Sequence, residues 1–279
     1  MGLSSVDFNY LRTLVRTHTA IVIDDGKEYL AEARLSNLVR KEGFTSVPEL
    51  LQLLRGKTFS PLHRRVLDAM TNNETWFFRD LAPFEALRRK VIPEILITRG
   101  LTRRLNIWSA ACSSGQEAYS TLILLHENFP DFVNWHVRVL ATDYSQSMLD
   151  RVKAGRYSQF EVNRGLPASA LAKYFVQHGL EWEISARFKN MVDCQLLNLA
   201  EPWPDLPEPD IVLLRNVLIY FDVETKADIL ARIHRRLRPD GYLFLGGAET
   251  TLGLSDSFER IPFEKTAYYR PSGARNGNQ

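Results

Sequence analysis

The chain has 279 residues, of which 45% are hydrophobic and 24% charged, with a formal net charge of +2. These values are typical of a water-soluble globular protein large enough for two domains, and no apolar run reaches the length of a membrane span. The 2 cysteines and 6 histidines are scattered along the chain. We therefore expect no disulfide framework, no metal site and a cytoplasmic protein with reduced thiols.

The charge is unevenly distributed along the chain. Residues 1–104 hold 17 Lys and Arg against 12 Asp and Glu, whereas the remainder holds 18 against 21. This bias is too small for a dedicated nucleic-acid binder, which carries a strongly basic surface. It fits an acidic protein partner for the N-terminal third, and it equally fits an ordinary solvated surface.

Residues 1–70 predict a small all-helical domain, because apolar side chains recur at helical spacing and short loops connect the runs. The predicted helices cover residues 6–17, 29–42, 46–54 and 60–70. Ser46 followed by Glu49 is the pattern of a capping box, and Pro61 suits the first turn of the fourth helix.

Three basic residues recur at intervals of seven along the second predicted helix, namely Lys27, Arg34 and Lys41. Residues seven apart lie within about 20° of one another around an α-helix. With Leu35 and Val39 facing the domain core, we predict that this basic line faces solvent. An ordinary solvated helix face would show the same pattern.

Residues 71–103 predict a linker followed by a connecting helix. The linker, residues 70–80, crowds Asn, Thr and Arg together with three aromatics and follows neither the helical nor the strand period. Its aromatics could simply plug a core. From Pro83 the apolar spacing predicts a helix that continues towards Ile97.

Residues 104–270 predict an α/β domain. An apolar run, residues 105–110, ends in small residues and Gly115, and a helical pattern follows at once. Strand, tight turn and helix form the first unit of a nucleotide-binding sheet, but the glycine pattern of dinucleotide sites is absent. A second predicted strand ends at Asp143, where such sheets bind ribose hydroxyls. Alternatively, Asp143 only caps the next helix.

The later strands complete this predicted sheet. Residues 210–215 and 242–246 predict buried parallel strands, and an antiparallel pair over 258–261 and 266–270 closes the sheet. Residues 176–194 predict a small antiparallel β insertion in which 182–184 pairs with 188–194. Residues 271–279 predict a disordered tail.

Four segments, in this order, resemble the CheR-type chemotaxis receptor methyltransferases, which use S-adenosylmethionine to esterify receptor glutamates. They are Asn73–Arg79, Trp108–Glu117, Ala141–Asp143 and Arg215–Phe221. The resemblance spans about residues 5–270, with departures at Cys112, Gln116 and Ala118. It implies an α/β fold with a Rossmann-like class I methyltransferase sheet, a small N-terminal all-helical domain and a small antiparallel β insertion.

The resemblance also implies roles for individual residues. S-adenosyl-L-methionine, and the product S-adenosyl-L-homocysteine, would contact Asn73, Thr75, Arg79, Glu117, Asp143, Asn198, Leu199, Arg215 and Asn216. Tyr220 would face the transferred methyl group. The substrate carboxylate needs an orienting arginine, for which Arg99 is the candidate. Four further arginines lie close by in the sequence: Arg88, Arg89, Arg103 and Arg104.

The function implied is protein-glutamate O-methylation of a chemoreceptor cytoplasmic domain, which would dock on Lys27, Arg34 and Lys41. A glutamate is ionised at neutral pH, so the reaction needs no general base. We expect a monomer that binds no nucleic acid and does not insert into a membrane. The insertion has a short link from Val176 to Asp193 and a turn near Ser185–Arg187 that lacks glycine, so we predict that no receptor C-terminal tether is bound. The alternative is a non-catalytic module that binds S-adenosylmethionine or a signalling partner.

Overall fold

The computed structural model describes residues 2–273, which fall into two units. The helical unit runs to Asn72 and also takes in Tyr220–Thr225. The sheet unit comprises Asn73–Ile219 and the residues from Lys226 onwards. No helix within residues 2–273 is both long and apolar enough to cross a membrane.

The predicted all-helical domain is confirmed. Its helices are α1 (Ser5–Thr19), α2 (Glu28–Lys41), α3 (Val47–Leu54) and α4 (Pro61–Met70). Side-chain caps begin two of them, since Ser4 accepts a hydrogen bond from the Asp7 N–H and Ser46 accepts one from the Glu49 N–H. The core consists of one apolar stripe from each helix: Phe8, Leu11, Ala31, Leu35, Leu50, Leu51, Val66 and Leu67 are buried. Full burial of a Leu or Phe side chain contributes about 1.5–3 kcal/mol, and this drives the packing of these short helices.

Strands occur only in the sheet unit among the described residues. They are β1 (Arg104–Ala110), β2 (His136–Asp143), β3 (Arg156–Ser158), β4 (Phe175–His178), β5 (Glu181–Ile184), β6 (Val192–Leu196), β7 (Ile211–Leu214), β8 (Tyr242–Leu245), β9 (Phe258–Phe263) and β10 (Thr266–Pro271).

The main sheet has seven strands in the order β6-β2-β1-β7-β8-β10-β9. The first five are parallel, and β10 runs antiparallel to both of its neighbours. The predicted Rossmann-like sheet is therefore confirmed. Successive strands extend outwards in opposite directions from β1 and β7, so the switch point lies between these two strands. Ligands of open α/β sheets bind there, beyond the carboxyl ends of the strands.

Eight α-helices follow the four of the helical unit among the described residues. They are α5 (Leu81–Ala86), α6 (Ile92–Thr98), α7 (Gln116–Asn128), α8 (Gln146–Ala154), α9 (Gln159–Asn163), α10 (Ala168–Tyr174), α11 (Ala186–Lys189) and α12 (Val223–Arg236). A π-helical turn, Leu87–Val91, joins α5 to α6. Alternate residues of the parallel strands, among them Ile107, Val139 and Leu213, pack in one hydrophobic core with α7.

The predicted pairing within the β insertion is wrong. The small sheet consists of β3, β5 and β4, and its hairpin turn is at Gly179 and Leu180. Strand β6, by contrast, runs parallel to β2 at the edge of the main sheet. Residues 186–189, where we expected a turn without glycine, form α11. The turn without glycine therefore no longer supports the expectation that no tether is bound, which stays a prediction.

The predicted C-terminal tail is also partly wrong. Strand β10 continues to Pro271, where the tail was expected to begin, and pairs with Phe258. Residues 274–279, the rest of that prediction, lie outside the described part of the chain.

Candidate active site

The turn between β1 and α7 is built from left-handed backbone conformations. Ala111, Ser113 and Gly115 have φ of 55°, 50° and 93°. Of the eight non-glycine residues with positive φ among those described, five lie in this turn, in the linker or directly after β7: Phe78, Asp80, Ala111, Ser113 and Asn216. Such conformations are costly for residues with a Cβ and concentrate at functional sites.

Asp143 ends β2 beside this turn. Its Oδ2 accepts a hydrogen bond from the Ser113 N–H at 2.8 Å, and its Oδ1 accepts one from the Ser145 N–H at 2.9 Å. Burial raises its pKa above the ordinary value of 3.8, although these backbone donors act in the opposite direction. Ser145, not Asp143, is the N-cap of α8, because its side chain accepts from the Met148 N–H. A carboxylate has about four acceptor positions, so Asp143 can still accept hydrogen bonds from a ligand.

Glu117, in the first turn of α7, forms a nearly buried ion pair with Arg215, which follows β7. Arg215 Nη1 donates to Glu117 Oε2 at 2.9 Å, while Ser109 Oγ donates to Glu117 Oε1 at 2.9 Å. Arg215 Nη2 donates to the Arg79 carbonyl at 2.7 Å and lies 3.2 Å from Asp80 Oδ2. Only 2% of the Arg215 side chain is exposed. This side chain is thus placed to hold Glu117 and the linker rather than to be reached by a ligand.

The linker residues Asn73–Arg79 are anchored to the sheet unit. Ser113 Oγ donates to the Asn73 carbonyl at 2.7 Å, and the Phe78 N–H donates to Ser120 Oγ at 2.9 Å. Phe77 is fully buried and packs edge-to-face on Tyr157, with ring centroids 5.0 Å apart. The reading of an aromatic that plugs a core is therefore correct for Phe77.

Trp76 carries two guanidinium groups over its ring. The Arg79 group lies 4.4 Å and the Arg164 group 4.0 Å from a ring centroid, which are cation–π distances. Arg164 also pairs with Glu74 at 2.8 Å, and Arg79 Nη1 donates to the Glu74 carbonyl at 2.9 Å. The segment after α9 thus reinforces the linker, a contact that the sequence did not indicate.

Asn198 and Leu199 follow β6 beside the end of β2. The Leu197 N–H donates to the Asp143 carbonyl at 2.9 Å and so fixes their position. Asn198 is half-buried, and its Oδ1 accepts from the Ala200 N–H at 3.0 Å. Leu199 is buried. The structure thus brings these two residues next to Asp143, at the same edge of the sheet.

Arg99 does not lie at this edge, and its assignment as the substrate-orienting arginine is wrong. Its Nε donates to Asp210 Oδ1 at 2.7 Å, and its Nη1 donates to Asp240 Oδ2 at 2.8 Å. Asp210 precedes β7 and Asp240 precedes β8, so both carboxylates lie at the amino ends of the parallel strands. The ion pairs raise the pKa of Arg99 further above its usual range, and the residue fastens that end of the sheet.

Tyr220 and the basic line belong to the helical unit. Asn72 Nδ2 donates to the Tyr220 hydroxyl at 2.6 Å. Arg34 Nη1 donates to the Met70 carbonyl at 2.6 Å, and burial lowers the pKa of this guanidinium although it interacts favourably with Tyr220. Lys41 is exposed, whereas Lys27 and Arg34 are half-buried. The prediction that all three face solvent is therefore wrong for Arg34, whose side chain turns back to the carbonyl of Met70.

Several residues of the site were missed at the level of the sequence. Ser109 and Ser113 lie in the motif that follows β1, but nothing in the motif shows that their hydroxyls hold Glu117 and Asn73. Glu249 was also missed, although a signal was present: it follows β8 just beyond two glycines, at the carboxyl end of a parallel strand. Over residues 2–273, no group of three or more His, Cys, Asp or Glu is arranged to hold a metal ion.

Comparisons with known proteins agree along almost the whole chain. Residues 73–267 match the family described as "CheR methyltransferase, SAM binding domain", and residues 6–71 match "CheR methyltransferase, all-alpha domain". Chemotaxis protein methyltransferase 1 of Pseudomonas aeruginosa (strain PAO1) is 40% identical over 275 residues, which cover 97% of this chain and 99% of that protein. Chemotaxis protein methyltransferase Cher2 of Pseudomonas putida (strain KT2440) is 39% identical over 94% of this chain and 96% of its own length.

Proposed function

The chain belongs to the CheR family of S-adenosylmethionine-dependent chemotaxis methyltransferases, and on that premise we propose that it methylates glutamate side chains of a chemoreceptor cytoplasmic domain. The observation that carries this proposal is the presence of two carboxylates, Asp143 and Glu117, beside the strained turn after β1. Each is already held by protein donors, and each keeps acceptor capacity for a ligand.

The residues at this edge fit S-adenosylmethionine. Three half-buried polar side chains have no hydrogen-bond partner among the described protein residues, namely Asn73, Thr75 and Asn216. Arg79 Nε is buried and likewise lacks a partner there. We propose that the Glu117 carboxylate holds the cationic methionyl end and that Asp143 holds the ribose. Asn198 and Leu199 would flank the adenine, and Arg215 would act through Glu117.

The chemistry requires positioning more than proton transfer. When bound, S-adenosylmethionine supplies a methyl group on a sulfonium, which a glutamate oxygen can attack in line with the breaking carbon–sulfur bond. The attacking carboxylate is ionised at neutral pH and needs no base. Orienting the reactants and excluding water must therefore supply most of the rate enhancement.

We assign Tyr220 to the methyl-transfer step and Arg34 to the substrate carboxylate, in place of Arg99. The support is two hydrogen bonds within the helical unit. Asn72 holds the Tyr220 hydroxyl at 2.6 Å, and Arg34 donates to the carbonyl of Met70 at 2.6 Å. A guanidinium matches a carboxylate in a bidentate arrangement, and partial burial makes its charge less screened than that of an exposed lysine.

Lys41, which is exposed, and Lys27, which is partly exposed, would then contribute long-range attraction to an acidic receptor surface. Exposed charges raise association rates and lose this effect as salt increases. Lys27→Glu combined with Lys41→Glu should slow receptor methylation at low salt and approach the parent rate at high salt. Lys57→Glu is the matched control, because Lys57 is an exposed lysine elsewhere in the same unit. Equal rates for the double variant and the control at all salt concentrations would contradict docking on α2.

The decisive test is transfer of tritiated methyl groups to purified chemoreceptor cytoplasmic domains. We expect label that mild base releases as methanol, since glutamate methyl esters hydrolyse under those conditions. Base-stable label would contradict glutamate as the acceptor. Binding of S-adenosylhomocysteine without any transfer to any receptor domain would instead favour the non-catalytic module.

A further inference from the structure

Glu249 gathers four backbone N–H groups at the carboxyl edge of the sheet. Its Oε2 accepts from Gly246 at 2.6 Å and from Asn216 at 2.7 Å. Its Oε1 accepts from Val217 at 2.8 Å and from Ile219 at 3.3 Å. All these residues lie in the sheet unit, and three of them belong to the segment that follows β7.

These N–H groups need an acceptor that the sheet does not provide. Strand β7 ends at Leu214, and Asn216 then turns the chain with a left-handed φ of 58°. A backbone N–H that is removed from water without a hydrogen-bond partner destabilises the folded chain. A carboxylate accepts at both oxygens and donates nothing, so it matches four converging donors. Glu249 thus accepts the hydrogen bonds that the backbone carbonyls of a neighbouring strand would otherwise accept.

Gly246 makes room for this arrangement. A Cβ at this position would lie 2.7 Å from Glu249 Oε2, 2.7 Å from Asn216 Nδ2 and 2.8 Å from the Asn216 backbone nitrogen. No side chain fits there unless the carboxylate or the turn moves. A Cβ added at Gly247, the next residue, would have no neighbouring atom within 4 Å.

We propose that Glu249 is the positioning residue of the cofactor site. It fixes the turn 215–219, so that Arg215 reaches Glu117 and the Asn216 side chain stays free for the cofactor. Tyr220 follows directly after this turn in the chain. The inference rests on the proposed binding of S-adenosylmethionine by these residues, but it concerns a residue that does not itself touch the ligand.

The negative charge is essential to this role. Glu249→Gln keeps the shape but leaves one oxygen acceptor and turns an amide NH₂ towards N–H donors. We expect about tenfold weaker binding of S-adenosylhomocysteine, comparable to the loss of one charge-assisted hydrogen bond. The KM for S-adenosylmethionine should rise by a similar factor. In the ligand-free protein, hydrogen exchange of the peptide covering 211–220 should accelerate.

Gly246→Ala is the second variant, because its Cβ would push the Glu249 carboxylate and the Asn216 turn apart without changing any charge, and Gly247→Ala is its matched control. We expect Gly246→Ala to reproduce the losses of Glu249→Gln and Gly247→Ala to behave as the parent. Calorimetry, exchange mass spectrometry and thermal unfolding should be measured on all three. If Glu249→Gln fails to fold, Gly246→Ala against Gly247→Ala decides the question.

Parent-like affinity and parent-like exchange in Gly246→Ala would overturn the proposal, as would the same result in a folded Glu249→Gln. The failure of the cofactor assignment would look different. In that case the parent itself would not bind S-adenosylhomocysteine, while the exchange of residues 211–220 would still report whether Glu249 holds the turn.

Discussion

Arg215 and Glu117 are 98 positions apart in the chain, yet their charged groups meet at 2.9 Å, and both side chains are largely removed from solvent. The pair joins the residue after β7 to the first turn of α7 across the switch point of the sheet. Because Arg215 also holds the Arg79 carbonyl, one guanidinium sets the position of both the helix and the linker.

Glu117→Gln should weaken both the cofactor site and the fold. The amide can still accept from Ser109, but the charge opposite Arg215 is lost. We expect about tenfold or greater loss of S-adenosylhomocysteine affinity, and a free energy of unfolding lower by about 1.5–3 kcal/mol. Calorimetry and urea unfolding measure the two effects. Glu181→Gln, at an exposed position on β5, is the control; equal affinity of both variants would remove Glu117 from the site.

Cofactor binding should depend on pH through Asp143. Its folded-state pKa lies above the ordinary value, so protonation sets in at a higher pH than for an exposed Asp. The proposed ribose contact uses the ionised form, and affinity should therefore fall as pH is lowered from neutral towards the folded-state pKa of Asp143. Titration of S-adenosylhomocysteine by calorimetry across this range measures it. Asp143→Asn should bind weakly at every pH; a parent affinity that is flat over the range would contradict the assignment.

The raised pKa of Asp143 also makes the stability of the ligand-free fold depend on pH, in the direction opposite to that of cofactor affinity. Because the folded protein holds the Asp143 proton more tightly than the unfolded chain, this residue makes stability decrease as pH rises between the unfolded and folded pKa values. Above the folded pKa the contribution is constant. This decrease in folding stability results from the burial of the Asp143 carboxylate, which remains available to a ligand.

Gly165→Ala should displace the linker. Gly165 has φ of 86°, and a Cβ there would lie 2.0 Å from the Phe77 carbonyl oxygen. Gly179→Ala is the matched control, because Gly179 has φ of 62° but open space around the added atom. Both variants carry the left-handed penalty of about 1–2 kcal/mol. Gly165→Ala should lose about 1–3 kcal/mol more, together with cofactor affinity. Equal unfolding midpoints and equal affinities would contradict the close contact.

Arg99→Ala should affect stability alone. The change removes one partner of Asp210, whose side chain is 3% exposed, and the Arg99 partner of Asp240 at the amino edge. Arg238 also reaches Asp210, at 3.2 Å, so we expect a loss of about 1.5–3 kcal/mol rather than the full value for an orphaned buried charge. The S-adenosylhomocysteine affinity should stay at the parent value. A folded variant with tenfold slower methyl transfer would restore Arg99 as a candidate.

Tyr220→Phe should lower turnover without changing cofactor affinity. Its hydroxyl is fixed by Asn72, so the side chain is oriented before substrate arrives. We expect at least about a tenfold decrease in kcat, equivalent to roughly 1.4 kcal/mol of transition-state stabilisation. The control is Tyr29→Phe, which changes an exposed tyrosine on α2. Parallel losses of affinity and rate would indicate packing instead.

The sequence predicted the parallel strands and the all-helical domain because both depend on local periodicity. It did not predict the place of β6. A short strand has the same alternation whether it pairs with a hairpin partner or at the edge of a distant sheet, and pairing over 50 residues leaves no local mark. The contact of β6 with β2 therefore appeared only in three dimensions.

The error at Arg99 was avoidable in principle. Arg99 precedes β1, and residues that precede a parallel strand lie at its amino end, opposite to the turn that carries Ser113. By contrast, no pattern shows that the Arg34 side chain turns back to the Met70 carbonyl. Seven-residue spacing places side chains on one side of a helix, but it does not say which side chains pack on a neighbouring segment.

The return of Tyr220–Thr225 to the helical unit has a consequence for how this protein can be divided. Val22 donates to the Tyr220 carbonyl at 2.9 Å, and Arg16 pairs with Asp222 at 3.4 Å, so the unit is completed by a segment encoded far downstream. A fragment that stops at Asn72 would lack these contacts. Exchanging this unit between relatives therefore requires the replacement of two separate segments, so that the six-residue return segment is transferred together with its helices.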